Sequence, residues 1–387
     1  MSNKKVIRAL WIFVFVHVAI TWLLAVRRGW RARQQNENNA HPSPKELPPV
    51  SVIVPAWNEK GTIERNIHAL QAVDYPDWEA IIVAGGDDGT YEAAVETVGA
   101  DKRFRVLPRG PEPKNAALNR GVQAAQHDVL VLLDCDNIVT PGWLRALIAP
   151  IANGAAVSVG DSRPNRMTWV TLEERMWHIY TYEILKLSWI QGDRSIAIRR
   201  ELLERIGGLP THTYAREDWD IWARLGQTSE QVVFAKGALL TTDRPATIRE
   251  SWRHQVRWRR THLSGVWEHR SALLKHPAYL FMQVYDYLVS IVLVVSSLAG
   301  MYAIIFRLAW LTSLLNLSAL ALVWLGGRRA AVAWAVAAYT DDWRWAQRAW
   351  MPALTLVLNA GASLVALLTP NGLDALYKGP RNIKGQE

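Results

Sequence analysis

Cysteine is all but missing: Cys135 is the one example in 387 residues, so no intrachain disulfide can form and nothing marks an oxidising compartment. A nucleophilic thiol is not expected there either, because no nearby His in the sequence supplies a base, and a small side chain between two acids is the simpler account. Internal repeats are missing too, and the one biased tract, residues 34–49, is rich in Gln, Asn and Pro and reads as a tether of little intrinsic structure. Acidic residues are outnumbered, 35 against 44 Lys and Arg, which leaves a formal charge of +9. That excess does not argue for nucleic acid. The positive residues gather beside apolar runs (Arg27, Arg28, Arg31, Arg33; Arg253, Arg257, Arg259, Arg260; Arg328, Arg329), the pattern of cytoplasmic membrane flanks and anionic lipid contact.

What the chain has in quantity is apolar surface and tryptophan. Half of its residues are hydrophobic and 20 are Trp. Several (Trp11, Trp22, Trp30, Trp310, Trp324, Trp350) lie in or beside long apolar runs, as at membrane interfaces; others stand in the polar half, where an indole can pack in a core or stack on a sugar. Residues 6–26 are long enough to cross a bilayer. A cleaved signal peptide is the alternative, but the run lacks a small-residue cleavage site and R-R-G-W-R-A-R follows it, so a retained helix with its amino end outside is expected. Further spans are expected at 279–305, 308–326 and 350–369, and an interfacial segment at 330–349.

Between these runs the pattern is a soluble α/β alternation. Strands are predicted at 50–55, 79–84, 104–107, 129–133, 155–159 and 195–198, with helices at 61–72, 91–98, 114–126, 171–187 and 199–206, which implies a mostly parallel sheet. The stretch V-L-V-L-L-D-C-D-N, Val129 to Asn137, stands out. An uninterrupted apolar run suits a buried parallel strand, which would deliver Asp134 and Asp136 to the carboxyl edge where open α/β sheets bind ligands. Two readings fit the acids: a place for a metal and a phosphate, or an Asx turn.

Four stretches stand in one order: P-A-W-N-E (Pro55 to Glu59), D-C-D (Asp134 to Asp136), R-E-D-W (Arg216 to Trp219) and H-Q-V-R-W (His254 to Trp258). Together they resemble the membrane-integrated inverting glycosyltransferases of family 2, among them cellulose, hyaluronan and chitin synthases and ceramide glucosyltransferase. The resemblance covers about residues 50–265. It implies a GT-A (Rossmann-like) α/β domain with flanking transmembrane helices, in five parts: an N-terminal anchor (1–33), a linker (34–49), the catalytic domain (50–246), amphipathic interfacial helices carrying the R-W motif (247–278) and a C-terminal transmembrane region (279–387). It also implies an inner-membrane protein with a cytoplasmic catalytic domain, a nucleotide-sugar donor (a UDP-sugar), a lipid or glycan acceptor and membrane lipids as partners.

By the same resemblance, Asp136 is a ligand of Mg2+ or Mn2+, and Asp134 contacts both metal and nucleotide. Hard oxygen donors suit either cation, and a metal held between carboxylates and a diphosphate stabilises a departing phosphate. Asp218 matches the general base, with Glu217 in support; both would also sit well in a helix first turn. Pro55, Asn58, Glu59, Asp88, Lys114 and Arg257 fall on the donor side, and Trp258, Trp219 and Gln255 on the acceptor side. Lys114 also reads as a helix-start lysine, and Arg257 and Trp258 as anchors of a basic interfacial helix. Two departures stand out. His254 replaces the usual leading Gln, and A-G-G-D-D-G-T (Ala84 to Thr90) replaces the usual D-D-G-S, so Asp87 or Asp88 takes the base-contacting role only after a shift. A non-catalytic membrane subunit that keeps the fold is the alternative function.

Overall fold

The computed structural model describes all residues except 1–2, 39–45, 187–194, 212–216, 269, 271–273, 275–276, 306–311 and 370–387. From the amino end the elements are helix α1 (Asn3–Asn38), strand β1 (Val50–Trp57), α2 (Lys60–Gln71), β2 (Trp78–Gly85), α3 (Thr90–Val98) and β3 (Phe104–Pro108). Then follow α4 (Lys114–Ala124), β4 (Val129–Leu133), β5 (Asn137–Val139), α5 (Trp143–Ala152), β6 (Val157–Pro164) and α6 (Trp169–His178). A π-helical turn (Ile179–Ile184) precedes β7 (Ser195–Arg199), α7 (Arg200–Arg205), α8 (Glu217–Leu225) and β8 (Val232–Thr242). The last helices are α9 (Ile248–Glu268), α10 (Pro277–Ile305), α11 (Thr312–Thr340) and α12 (Trp350–Leu368). The chain separates into an α/β unit (41–166 and 187–244) and a helical unit (1–40, 167–186 and 245–373).

The α/β unit is built on one eight-stranded sheet in the order β3-β2-β1-β4-β7-β6-β8-β5. Strands β1 to β4 are parallel, β7 runs antiparallel to both β4 and β6, and β8 is parallel to β6 but antiparallel to β5. The sheet is therefore mixed but mostly parallel, as expected: only β7 and β5 run against the other strands. Burial explains why β1 reads as an unbroken apolar run. Val50, Val52 and Val54 pack with Val131, Leu133 and the α2 residues Ile63 and Ile67 on one face. Ile53 packs with Ile81, Leu130 and Leu118 of α4 on the other. Each such side chain, fully buried, is worth about 1.5–3 kcal/mol relative to an exposed one.

The order also locates a crevice. After β1 the chain winds outward through β2 and β3, then returns to place β4 on the opposite side of β1. That is a switch point, and ligands of open α/β sheets bind outside the carboxyl ends of the strands there. The β1–β4 ladder stops at Ile53↔Leu132, two residues before Pro55, which has no N–H with which to extend it. Past that point the two strands are free to diverge.

Among the described residues of the helical unit, three helices are long and apolar enough to cross a membrane, within Lys5–Gln35, Ala319–Thr340 and Ala346–Leu368. The first and last match expectation. Segments 308–326 and 330–349 do not separate as expected: α11 runs unbroken through Gly326, Gly327, Arg328 and Arg329. The guanidinium of Arg328 lies 5.1 Å from the Trp324 ring and that of Arg329 lies 5.7 Å from Trp177, so aromatic faces carry both charges without ending the helix. Close approach does the rest. A Cβ at Gly29 would lie 2.1 Å from the Ala335 carbonyl oxygen, so α1 and α11 meet through small residues, as spanning helices do. The Trp22 indole N–H donates to the Gly327 carbonyl at 2.6 Å.

A buried polar group joins α6 to α12. Glu173, 7% exposed, accepts hydrogen bonds on Oε1 from Trp177 Nε1 and Thr355 Oγ1, both at 2.7 Å. Burial pushes its carboxyl up to about 7, against the pull of those two hydrogen bonds and of Arg329. The folded protein therefore keeps this proton at pH values where the unfolded chain, near 4.5, has released it. The stability this gives is fully present below about 4.5 and is lost as pH rises through about 7. The sum is about 3 kcal/mol. Glu173→Gln keeps the acceptor and removes the charge, so in detergent its thermal midpoint should gain on wild type between pH 5 and pH 8; a constant difference would refute the assignment.

Candidate active site

The site of the α/β unit lies at the carboxyl ends of β1, β2 and β4. Along the turn after β4, burial alternates: Cys135 and Asn137 point inward, while Asp134 and Asp136 are half-buried and share the open side. The turn is closed by the Asn137 N–H donating to the Asp134 carbonyl at 3.1 Å. Asn137 then enters β5, opposite Thr242 of β8. Lys114, the first residue of α4, places Nζ 2.6 Å from Asp134 Oδ1. Two residues 20 apart in sequence, each singled out for the donor side, thus form one ion pair at the switch point.

The β1 end is held by a different device. Asn58 sits at φ +55°, its N–H donates to the Gly85 carbonyl at 3.1 Å, and its Oδ1 accepts from the Asp87 N–H at 2.7 Å. Gly86, at φ +129°, leaves the room: a Cβ there would fall 2.1 Å from Asn58 Oδ1. Gly86→Ala should therefore lower stability by about 1–3 kcal/mol, read as a lower thermal midpoint. An unchanged midpoint would show that the two strand ends are not coupled this way.

Pro55 is buried inside β1, so it shapes the crevice from within the sheet. Glu59 is the N-cap of α2, and its N–H donates to Thr90 Oγ1 at 2.8 Å. Its carboxylate hydrogen-bonds the Cys135 thiol; burial pushes that thiol well up, and the charges of Glu59, Asp136 and Asp134 add to the effect. Cys135 is accordingly an un-ionised S–H donor, in keeping with the expectation that it is no nucleophile. Asp88 accepts from the Lys60 N–H at 3.1 Å and the Thr90 N–H at 3.0 Å, and from Thr90 Oγ1 at 2.5 Å. Burial alone would raise its carboxyl, but these hydrogen bonds hold it below the usual range. Its carboxylate ties the start of α2 to the start of α3, and both it and Asp87, beside it, are exposed.

Three residues at this edge were not singled out by motif. Trp57, the last residue of β1, lies 5.6 Å from the guanidinium of Arg109, and the Arg109 N–H donates to the Ala84 carbonyl at 2.7 Å. An aromatic face beside a cation at a strand end suits a planar, electron-rich ligand. The tryptophan inside P-A-W-N-E was the available signal. Asn66, on α2, is the third.

Glu217, Asp218 and Trp219 open α8; their side chains, and Arg216, lie outside the described residues. The helix itself is well anchored, with Ile221, Trp222 and Leu225 in the core and Arg224 Nη2 2.6 Å from Asp220 Oδ2. In the helical unit, the 21 residues of α9 form the expected amphipathic helix. Trp258 is 45% exposed and stacks on the His254 ring at 6.2 Å, which accounts physically for an aromatic ring where the family pattern has Gln. Arg257 is half-buried. Gln255 lines a cavity of about 30 Å³ with Glu173, Glu174, Ser251, Trp252 and Asn359, room for about two waters.

Among the described residues no group of three or more His, Cys, Asp or Glu is gathered to hold a metal. Two carboxylates on one open edge, one of them already paired with Lys114, do not make a closed cage. They do fit a cation of the Mg2+ or Mn2+ kind, which takes one or two carboxylates and completes its shell with phosphate oxygens and water.

Known proteins resemble this chain in sequence and in fold. The Glycosyl transferase family 2 profile matches residues 51–207. The probable glycosyltransferase YdaM of Bacillus subtilis (strain 168) is 25% identical over 275 residues, covering 64% of this chain and 65% of that protein. The dolichol-phosphate mannosyltransferase of Pyrococcus furiosus is 34% identical over 119 residues, 29% of this chain and 32% of that protein. The chain thus spans less than two thirds of the length of these curated relatives. Among solved structures, the mannosyltransferase PcManGT from Pyrobaculum calidifontis, in complex with GDP-Man and Mn2+, matches with a TM-score of 0.57 at 21% identity, over 94% of this chain and 98% of that one. The shared fold is GT-A.

Proposed function

Starting from a chain whose residues 51–207 match the Glycosyl transferase family 2 profile, we propose that it moves a sugar, with inversion, from a nucleotide-sugar to a lipid or glycan acceptor at the membrane. The observation that carries this reading is the Lys114–Asp134 ion pair at the switch point, 2.6 Å long, with Asp136 on the same open side of the turn. A nucleotide-sugar leaves behind a diphosphate, and both a cation and a lysine are what such a leaving group needs. The metal, Mg2+ or Mn2+, would be held by Asp136 with Asp134 beside it, and would supply charge stabilisation to the departing phosphate.

The remaining steps belong to the chain's own residues. Trp57 and Arg109 offer the nucleobase a face and a cation. Lys114 exchanges part of its contact with Asp134 for a diphosphate oxygen; the role of Arg257 as a further cation for the donor rests on the resemblance of its R-W motif alone. Asp218 takes the proton of the acceptor hydroxyl as that oxygen attacks the anomeric carbon from the side opposite the leaving group. Glu217 supports it, and Trp219, Trp258 and Gln255 receive the acceptor. The donor is a UDP- or GDP-sugar; the second comes into range because PcManGT was solved with GDP-Man.

In the cell the catalytic domain faces the cytoplasm, where Arg27, Arg28, Arg31 and Arg33 would hold the near end of α1, with the inner membrane as the site of action. The deciding experiment offers UDP-glucose, UDP-N-acetylglucosamine and GDP-mannose to the enzyme in membranes, with polyprenyl-phosphate and glycolipid acceptors and mass analysis of products. One added sugar identifies a lipid transferase and a ladder a polymerising enzyme. Metal-dependent donor cleavage without transfer would leave the acceptor range wrong; cleavage of none of the three donors would favour a subunit without catalysis.

A further inference from the structure

We propose that Asn66 is a positioning residue for the acidic turn, setting the geometry in which Asp134 and Asp136 present their carboxylates and hence the affinity for a divalent cation. The inference rests on the metal reading above and deepens it. Asn66 lies on α2, outside every motif, and is 0% exposed. Its side-chain N–H2 donates to the Asn137 carbonyl at 2.7 Å and reaches the Asp134 carbonyl at 3.5 Å. It therefore touches main chain on both sides of Cys135 and Asp136 without touching either carboxylate. A three-residue turn closed by one backbone hydrogen bond has little rigidity of its own. A buried amide that fixes both of its ends supplies it.

Two further observations separate this role from routine core satisfaction. Among the described residues Asn66 Oδ1 is buried without a hydrogen-bond partner. A buried amide left half-satisfied is costly, and an apolar residue of similar size would avoid that cost at an ordinary core position. Seven residues earlier on the same element, the α2 N-cap Glu59 hydrogen-bonds the Cys135 thiol. Helix α2 thus grips the turn at two places, its side chain by Glu59 and its main chain by Asn66. Partners of this outer kind set ligand orientation and typically carry about 10–100-fold in metal affinity.

The sole cysteine makes the turn directly observable, because Cys135 is 2% exposed and its alkylation by a maleimide reports opening of this segment alone. Purified full-length protein in detergent would be compared as wild type, Asn66→Ala, Asp136→Ala and Ser51→Ala. Ser51 is equally buried and donates to Glu79 Oε1 at 2.7 Å, but at the opposite, amino end of β1, so it controls for a lost buried hydrogen bond. N66A should alkylate about tenfold faster through local opening and, with MnCl2 alone followed by the free Mn2+ resonance signal, bind about tenfold more weakly. S51A should do neither at a comparable loss of thermal midpoint. Asn66→Ser serves if N66A does not fold.

An unchanged alkylation rate in N66A, or a Mn2+ affinity unchanged despite faster alkylation, overturns the inference. So does an equal effect in S51A, which would mean global loosening. Failure of the metal reading looks different: D136A then binds Mn2+ like wild type, while N66A still exposes Cys135.

Discussion

Asp218→Asn is expected to lower turnover by about 10²–10⁴-fold while donor affinity stays within about twofold. The amide matches the carboxylate in size but cannot accept the proton that the acceptor hydroxyl must lose, so only a step made in the transition state is removed. Turnover would come from product formation under saturating donor, and affinity from titration of the nucleotide-sugar against intrinsic tryptophan fluorescence, for which 20 Trp give ample signal. Should donor affinity fall in step with turnover, Asp218 would be a first-turn residue supporting α8 and not a base. The helix is otherwise secured by Ile221, Trp222 and Leu225, so loss of the fold is not the expected consequence.

Asp136→Ala is expected to be as severe by another route. A cation at a departing diphosphate is worth several kcal/mol of charge stabilisation, or about 10²–10⁴-fold in rate. Activity should fall by that much, and Mn2+ added to millimolar levels should not restore it. Because Asp136 is half-buried on the open side of its turn, the thermal midpoint without metal should move little. The companion Asp134→Asn should lose less, since Lys114 Nζ sits 2.6 Å from the carboxylate oxygen it would replace and an amide oxygen still accepts there. Full activity of Asp136→Asn under metal-replete conditions would remove the residue from the site.

Much of the α/β unit was legible because its first half obeys local rules. β1 and β4 are short apolar runs buried on both faces, and the helices between them carry ordinary amphipathic patterns. The second half obeys them less. β8 contains Lys236 and Gly237 in mid-strand, and its register against β6 shifts between Gly160 and Asp161, so its alternation is broken where the pattern would be read. β5 is three residues long, too short for any periodicity. α5 carries Pro150 inside the helix, a residue that ordinarily signals its end. Arg328 and Arg329 look like a loop between two spans; the indole of Trp324, one turn earlier on the same helix, and that of Trp177, brought up from α6, carry their charges where one helix continues through them.

The site divides along the same line. Sequence alone determined which residue types are present: two acids after a buried strand, a lysine at a helix start, an E-D pair and an Arg-Trp pair, in an order whose family resemblance implies a sugar donor and a metal. These are properties of residue type and spacing, carried by the chain wherever it goes. Tertiary structure alone decided which of them meet. It paired Lys114 with Asp134, committed Asp88 to two helix starts, set Trp57 under Arg109, and brought Asn66 to the main chain of a turn 70 residues away. Such contacts depend on how helices and strands pack across the sheet, and packing couples residues whose separation in sequence bears no trace of their distance in space.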